Sequence, residues 1–385
     1  LICFFSYLFT CQKGVLKFIP MNEAKSLFVA ATRQNDGKTM TSLGLFNAIC
    51  KRYEKVSYMK PVGQQYYMVE DEKVDKDALL FKNVYNLQDN FKDMSPIAVP
   101  RGFTQNYIDK PTPKKNSDLL LNACNNLKKN KDFLVVEGTG HAGVGSVFDL
   151  SNAHVAKLLR LKVILVSLGG IGRSIDEIML NKAVFDLHGV ELLGVIINKV
   201  QKDKYDKTTD YIVKGLKRQN IDVFGSIPFV PTLNNPTIET IFEKIDGEVL
   251  STKTGFSNRV EKCLIGDMVP HDALSKLEPN SLFIVPANRE GLVMAALCGN
   301  LLDSEVVYFV SGIIFTGGKI PHERILNLIK RTHIPLLLVE EDSFSVATKI
   351  TSMLVKLRAN EPEKIRIVQD LVENYVDVDR ICEKL

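Results

Sequence analysis

From Ser26 onward the chain alternates short apolar runs with longer stretches of helical spacing. Residues 27–31, 55–59, 133–137, 163–167, 192–197 and 222–227 form short, mainly apolar or β-branched runs, as strands buried on both faces do. Helical spacing fills 39–53, 116–129, 151–161 and 174–187 between them. This order predicts an α/β fold with a doubly wound, mostly parallel sheet. Residues 251–257 are small and polar and read as a linker. Beyond them the alternation resumes, with strands expected at 281–286, 312–316 and 335–339 and helices at 291–299, 321–330 and 343–357. The expected division is an N-terminal extension over 1–22, a first α/β domain over 23–248, a linker over 249–258 and a smaller α/β domain over 259–385.

Composition leaves this picture intact and removes some functions. A length of 385 residues fits two or three domains, and 45% hydrophobic with 24% charged residues is globular usage. The net charge of +4, from 49 basic and 45 acidic residues, is too small and dispersed for nucleic acid or an anionic membrane. The most basic stretch, 199–218, is interleaved with Asp203, Asp206 and Asp210, as on a solvated face. Seven cysteines without a CxxC pair argue against a disulfide framework and a structural zinc site, and fit a reducing cytosol. A cytoplasmic protein is expected. The apolar stretch 1–10 is too short to span a bilayer, and Met21 is a plausible start.

The candidate chemistry lies where strands end. Thr32-Arg33-Gln34-Asn35-Asp36-Gly37-Lys38-Thr39 follows the first strand and precedes a helix. Strand, loop ending Gly-Lys-Thr, then helix is the arrangement that binds a nucleoside triphosphate. Gly37 lets backbone N–H groups approach phosphate, Lys38 reaches the β/γ-phosphates and Thr39 offers a hydroxyl to Mg²⁺. Thr32 stands where the pattern has glycine, and the alternative is a surface turn after a buried strand. Lys60 ends the second strand, facing the ligand crevice. Asp75 and Asp77 precede a helix, where capping and Mg²⁺ binding compete. Glu137 ends a buried strand, as the second acidic element of such sites does. Glycines at 138, 140, 143 and 145 follow it, and His141 among them either contacts substrate or finishes a turn. Asn198 ends another strand; its amide matches an adenine edge or makes a turn. The prolines of Ile227-Pro228-Phe229-Val230-Pro231 can fix a loop that walls a base pocket.

Together these residues resemble the dethiobiotin synthetase-like family of P-loop proteins over about 26–244. That family's phosphate loop also begins with a non-glycine, and the resemblance places Thr32, Gln34, Asn35, Asp36, Gly37, Lys38 and Thr39 in it. Lys60-Pro61-Val62 matches the family's second-strand lysine motif. By the same resemblance Thr39, Asp77 and Glu137 surround Mg²⁺, and Asn198, Ile227 and Pro228 contact the adenine of ATP. Lys38 and Lys60 would act on phosphate and a substrate carboxylate. The implied chemistry is activation of a carboxylate or carbamate by the γ-phosphate, which needs charge neutralisation more than acid–base groups.

A longer resemblance is to the amino-terminal part of long phosphotransacetylases. It rests on 137–146, 74–77 and Arg101-Gly102-Phe103-Thr104, where dethiobiotin synthetase itself has a shorter loop after its glutamate. A glutaminase domain, as in the related cobyrinate diamide synthase, is not evident. Pro286-Ala287-Asn288-Arg289-Glu290 and Thr316-Gly317-Gly318 resemble the DRTGG domain of those phosphotransacetylases, with Asn288 replacing the aspartate. Arg289 and the Gly317-Gly318 turn either hold an anion or form a salt bridge and a simple turn. The resemblance implies a regulatory or accessory MgATP-binding module acting with an enzyme of acetyl-phosphate metabolism. The alternative is a stand-alone ATP-dependent ligase acting on a small carboxylate metabolite. Phosphate acetyltransferase activity is not expected of this chain alone, and a homo-oligomer is expected by the same analogy.

Overall fold

The computed structural model describes residues 7–8, 19–20, 24–251, 253–301, 310–332 and 334–385. The extension expected over 1–22 therefore lies almost wholly outside the described residues. Two compact units divide the chain: one runs to Phe229 and takes in Leu357–Leu385, and the other is Val230–Lys356.

The first unit is built on six strands: β1 Lys25–Ala31, β2 Val56–Met59, β3 Phe133–Glu137, β4 Lys162–Leu168, β5 Leu192–Val200 and β6 Val223–Pro228. They form a parallel sheet in the order β6-β5-β4-β1-β3-β2. All six fall on the apolar runs of the sequence. Leu27, Phe28, Val135, Ile164 and Val195 are fully buried, which is why the strands lack a polar alternation. The helices between these strands in sequence include α1 Lys38–Cys50, α2 Lys76–Tyr85, α3 Pro113–Lys128, α4 Asn152–Leu158, α5 Gly172–Leu187 and α6 Tyr205–Lys217. From β1 the chain moves to one side of the sheet and from β3 it crosses to the other. The crevice outside the carboxyl ends of β1 and β3 is thus the switch point where such sheets bind ligands.

The second unit has β7 Glu248–Val249, β8 Lys262–Ile265, β9 Ser281–Pro286, β10 Val310–Thr316 and β11 Leu336–Leu338, in the order β7-β11-β10-β9-β8. Only β7 runs antiparallel. Its helices include α7 Pro270–Lys276, α8 Glu290–Leu301, α9 Glu323–Arg331 and α10 Ser343–Thr351. Phe283, Phe315 and Leu297 belong to one apolar cluster, and Ile238, Ile284, Ile314 and Val346 to another.

Two boundaries differ from those read in the sequence. Residues 249–258, expected to link the domains, belong to the second unit: Val249 pairs in β7, Leu250 N–H donates to Leu336 O at 3.0 Å, and Ser251 Oγ accepts from Leu336 N–H. The chain also returns to the first unit, where α11 Pro362–Tyr375 packs along α1 and α12 Val378–Lys384 follows it. Gly44 of α1 allows this approach, since a Cβ there would lie 2.3 Å from Val372 Cγ2 and 2.8 Å from Val368 O. Gly225 does the same for β6, where a Cβ would lie 2.0 Å from Tyr375 O. Asp377 N–H donates to Phe224 O, Arg52 pairs with Glu373 and Asp379, and Lys25 Nζ donates to Cys382 O at 2.7 Å. Propensity along the chain is local, whereas the surface that a helix covers is set by distant residues.

Candidate functional site

The turn from β1 into α1 is a loop with its own internal frame. Thr32, buried, donates from its hydroxyl to Asp36 Oδ2 at 2.6 Å and approaches Ser167 Oγ at 3.2 Å. Arg33 N–H donates to the same carboxylate oxygen at 2.9 Å. Burial raises the Asp36 pKa, while Thr32 and Arg33 pull it down. Thr32 and Asp36 thus brace the loop across its width, and the non-glycine start has a structural use. Arg33 also pairs with Glu177 at 2.9 Å, and Gln34 and Asn35 are exposed. Gly37, at φ +92, caps α1 with no side-chain acceptor, and no acidic residue occupies the first turn. The start of α1 thus has no side-chain cap, at a helix end whose positive potential favours an anion.

Beside that helix end, charged groups converge on Glu137, the fully buried last residue of β3. Thr39 Oγ1 donates to Glu137 Oε1 at 2.8 Å, Lys60 Nζ lies 2.8 Å from the same oxygen, and Lys38 Nζ lies 4.0 Å away. Tyr58, buried in β2, donates its phenol to Glu137 Oε2 at 3.2 Å. Burial and the Glu137 charge hold that phenol well above its usual pKa, so it remains a donor. Lys60 also bonds Asp77 Oδ2 at 2.7 Å and Gly138 O at 3.2 Å. Burial opposes its charge, yet Asp77, Glu137 and Asp75 hold the ammonium above the usual lysine range.

The two aspartates at the start of α2 take different partners. Asp75 caps the helix, its Oδ1 accepting from Asp77 N–H at 2.9 Å, and burial pushes its carboxyl up to about 6. Asp77 carries its charge to Lys60. One hydroxyl and two carboxylates near a helix N-terminus form a hard oxygen set, of the kind that holds Mg²⁺ when phosphate oxygens complete its shell. Among the described residues no group of three or more His, Cys, Asp or Glu forms a ready metal cage. A divalent ion here would depend on phosphate ligands.

Further residues, missed in the sequence, hold this site in place. Asn152 accepts from Thr139 N–H and donates to Thr139 O and His141 O, fixing the glycine-rich loop after β3. Asn181 of α5 accepts from Ala142 N–H at 2.8 Å and donates to Thr32 O at 3.1 Å, joining that loop to the phosphate-type loop. His141 is exposed and its Nδ1 accepts from Gly143 N–H, which is the turn reading. Only the mid-helix position of Asn181 hints at its role, since a buried amide must find partners.

Of the residues expected at a base, Asn198 touches the loop before α1 and Ile227 and Pro228 lie where β6 ends. Asn198, at the end of β5, donates from Nδ2 to Asp36 O at 2.9 Å and accepts at Oδ1 from Lys199 N–H. Ile227 and Pro228 are buried where β6 ends, with Pro228 opposite Val200. In the second unit, Gly317 and Gly318 have positive φ, and their N–H groups donate to Glu341 O and Val339 O. Those donors serve the turn rather than an anion. Arg289 N–H closes a turn on Pro286 O, and Glu290 accepts from His322 N–H.

A family model described as an AAA domain matches residues 25–237, more than half of the chain, and one described as a DRTGG domain matches 240–353. The phosphate acetyltransferase of Nitratidesulfovibrio vulgaris is 22% identical over 373 residues, covering 94% of this chain and 52% of that protein. The chain thus spans about half the length of the phosphate acetyltransferases that it resembles. The ATP-dependent dethiobiotin synthetase BioD of Clostridium kluyveri is 24% identical over 224 residues, covering 57% of this chain and 91% of that protein. A solved structure, the MinC:MinD cell division protein complex of Aquifex aeolicus, aligns with a TM-score of 0.35 at 14% identity over 55% of this chain and 84% of its own.

Proposed function

From the premise that this chain belongs to the AAA-domain P-loop family, with a DRTGG domain behind it, we propose that it is an MgATP-binding module with a regulatory or accessory role. The observation that carries the nucleotide reading is the convergence of Thr39, Lys38 and Lys60 on Glu137 beside the uncapped end of α1. A polyphosphate would meet the N–H groups of the loop, Lys38 would neutralise its outer phosphates, and Thr39, Asp77 and Glu137 would hold the metal. The role as a module is supported by the DRTGG domain and by likeness to a part of larger phosphate acetyltransferases. The partner is then an enzyme of acetyl-phosphate metabolism, in the cytoplasm.

One observation favours a second reading, a ligase of the dethiobiotin synthetase type. Lys60 brings a second buried cation to the crevice, where it can hold the carboxylate being activated. The test of both readings starts from a thermal shift. MgATP at 100 times its dissociation constant would stabilise the chain by about 2.7 kcal/mol. No shift at millimolar MgATP sinks both. Phosphate release stimulated by one member of a carboxylate and diamine panel selects the ligase; binding without stimulation, with a nucleotide-dependent change in a co-purifying enzyme, selects the module.

A further inference from the structure

Two side chains at the end of β5 reach consecutive carbonyls of the loop between β1 and α1. Asn198 Nδ2 donates to Asp36 O at 2.9 Å, and Lys199 Nζ donates to Asn35 O at 3.3 Å. Both ends of this contact have unusual backbone. Lys199 sits at φ +56, its N–H held by Asn198 Oδ1, and Asn35 sits at φ +73. Left-handed conformations are unfavourable for a lysine and persist where the surroundings over-determine them. Gly37 completes the arrangement: a Cβ there would lie 2.1 Å from Asn198 Nδ2 and 3.6 Å from Lys199 Cε.

The consequence follows from peptide geometry. In a planar trans peptide the C=O and the next N–H point in opposite directions. Pinning the carbonyls of Asn35 and Asp36 toward β5 therefore turns the N–H groups of Asp36 and Gly37 to the other side of the loop. A row of N–H groups on one face is what an anion-binding nest needs. Burial lowers the Lys199 pKa while Asp36 pulls it up, as for a lysine folded against the loop rather than extended into solvent.

We propose that Asn198 and Lys199 form a clamp that holds the loop in its phosphate-accepting shape, Lys199 being a positioning residue for the polyphosphate and Asn198 acting on the loop rather than on a base. This deepens the nucleotide reading of the preceding subsection and rests on it. The clamp acts on the phosphate-binding face alone, so its loss should weaken every polyphosphate equally, whatever base it carries.

The test measures binding of MgATP and of magnesium tripolyphosphate, which has no base, to the full chain and to Lys199→Met, Lys199→Arg and Asn198→Ser. Lys199→Met keeps the apolar stem and removes the donor. The expected result is a loss of about tenfold for both ligands, equivalent to about 1.4 kcal/mol. Lys199→Arg should recover most of it, Asn198→Ser should weaken both ligands in parallel, and unliganded melting temperatures should change little for the Lys199 variants. Wild-type affinity for both ligands in Lys199→Met overturns the clamp. So does a loss confined to MgATP, which would put these side chains on the base or ribose. Recovery absent in Lys199→Arg, despite a native melt, also counts against it. A wild-type chain that binds neither ligand overturns the nucleotide reading itself, and the clamp with it.

Discussion

Lys60 is almost fully buried with its ammonium between Asp77 and Glu137. Replacing it by methionine keeps the stem and removes the ammonium between the two carboxylates. Lys60→Met should cost about 3–5 kcal/mol in urea unfolding, the range for a broken buried pair. A charge-neutral double change, Lys60→Met with Glu137→Gln, should recover part of the loss, which a simple packing defect would not. At Thr32 the sequence pattern and the structure give opposite advice. Thr32→Gly restores the usual first glycine of the motif, yet it removes the hydroxyl that holds Asp36 and meets Ser167. A destabilisation of about 1.5–3 kcal/mol is expected by denaturant melts, the value for a hydrogen bond to a charged acceptor. Gly37→Ala combines positive φ with a clash on Asn198 and should abolish the MgATP thermal shift.

At the scale of elements, the close approach of α11 to α1 depends on Gly44. Gly44→Ala should lower stability by about 1–3 kcal/mol, the usual cost of overpacking, although alanine is the better helix former. Pairing it with Val372→Ala should relieve the clash in part, since Val368 O remains 2.8 Å from the new Cβ. The α12 contact has a pH signature. Asp222 accepts from Lys384 and from Arg380, and these bonds hold its carboxyl below the ordinary aspartate pKa. A depressed folded-state pKa adds stability above the unfolded value, which is lost as pH falls through the folded one. Asp222→Asn should therefore melt lower than wild type at pH 7, by less than about 1 kcal/mol for so exposed a network, and the gap should close below about pH 4. The six strands of the first sheet were legible because each is a mainly apolar, partly β-branched run. Strand β8, Lys-Cys-Leu-Ile, was not, because only Leu264 in it is deeply buried and it lies at a sheet edge. The placement of the phosphate-type loop, Lys60 and Glu137 where strands end, and of Asp77 where a helix begins, was legible from the apolar and polar pattern around them. Asn181 and Lys199 were not, because the β1–α1 loop that they hold lies more than a hundred residues away.

At the scale of the whole molecule, the second unit is an insertion in the first. A chain that stops at residue 248 keeps every strand of the first sheet but strips α11 from α1, exposing the apolar side that Val368 and Val372 cover. Such a fragment should bind a hydrophobic dye and melt well below the full chain. Replacing 230–356 by a flexible Gly/Ser linker restores α11 and α12 and should restore both the melt and MgATP binding. If the two fragments behave alike, the returning helices add nothing to the first unit. The bond from Lys25 to Cys382 has a mechanical meaning as well. Residues 25 and 382 both belong to the first unit and are stitched side by side, so a force applied between them loads that stitch and the first sheet directly. The inserted unit lies on a loop of chain off the line of tension, and under stretching it should be the last part to unravel.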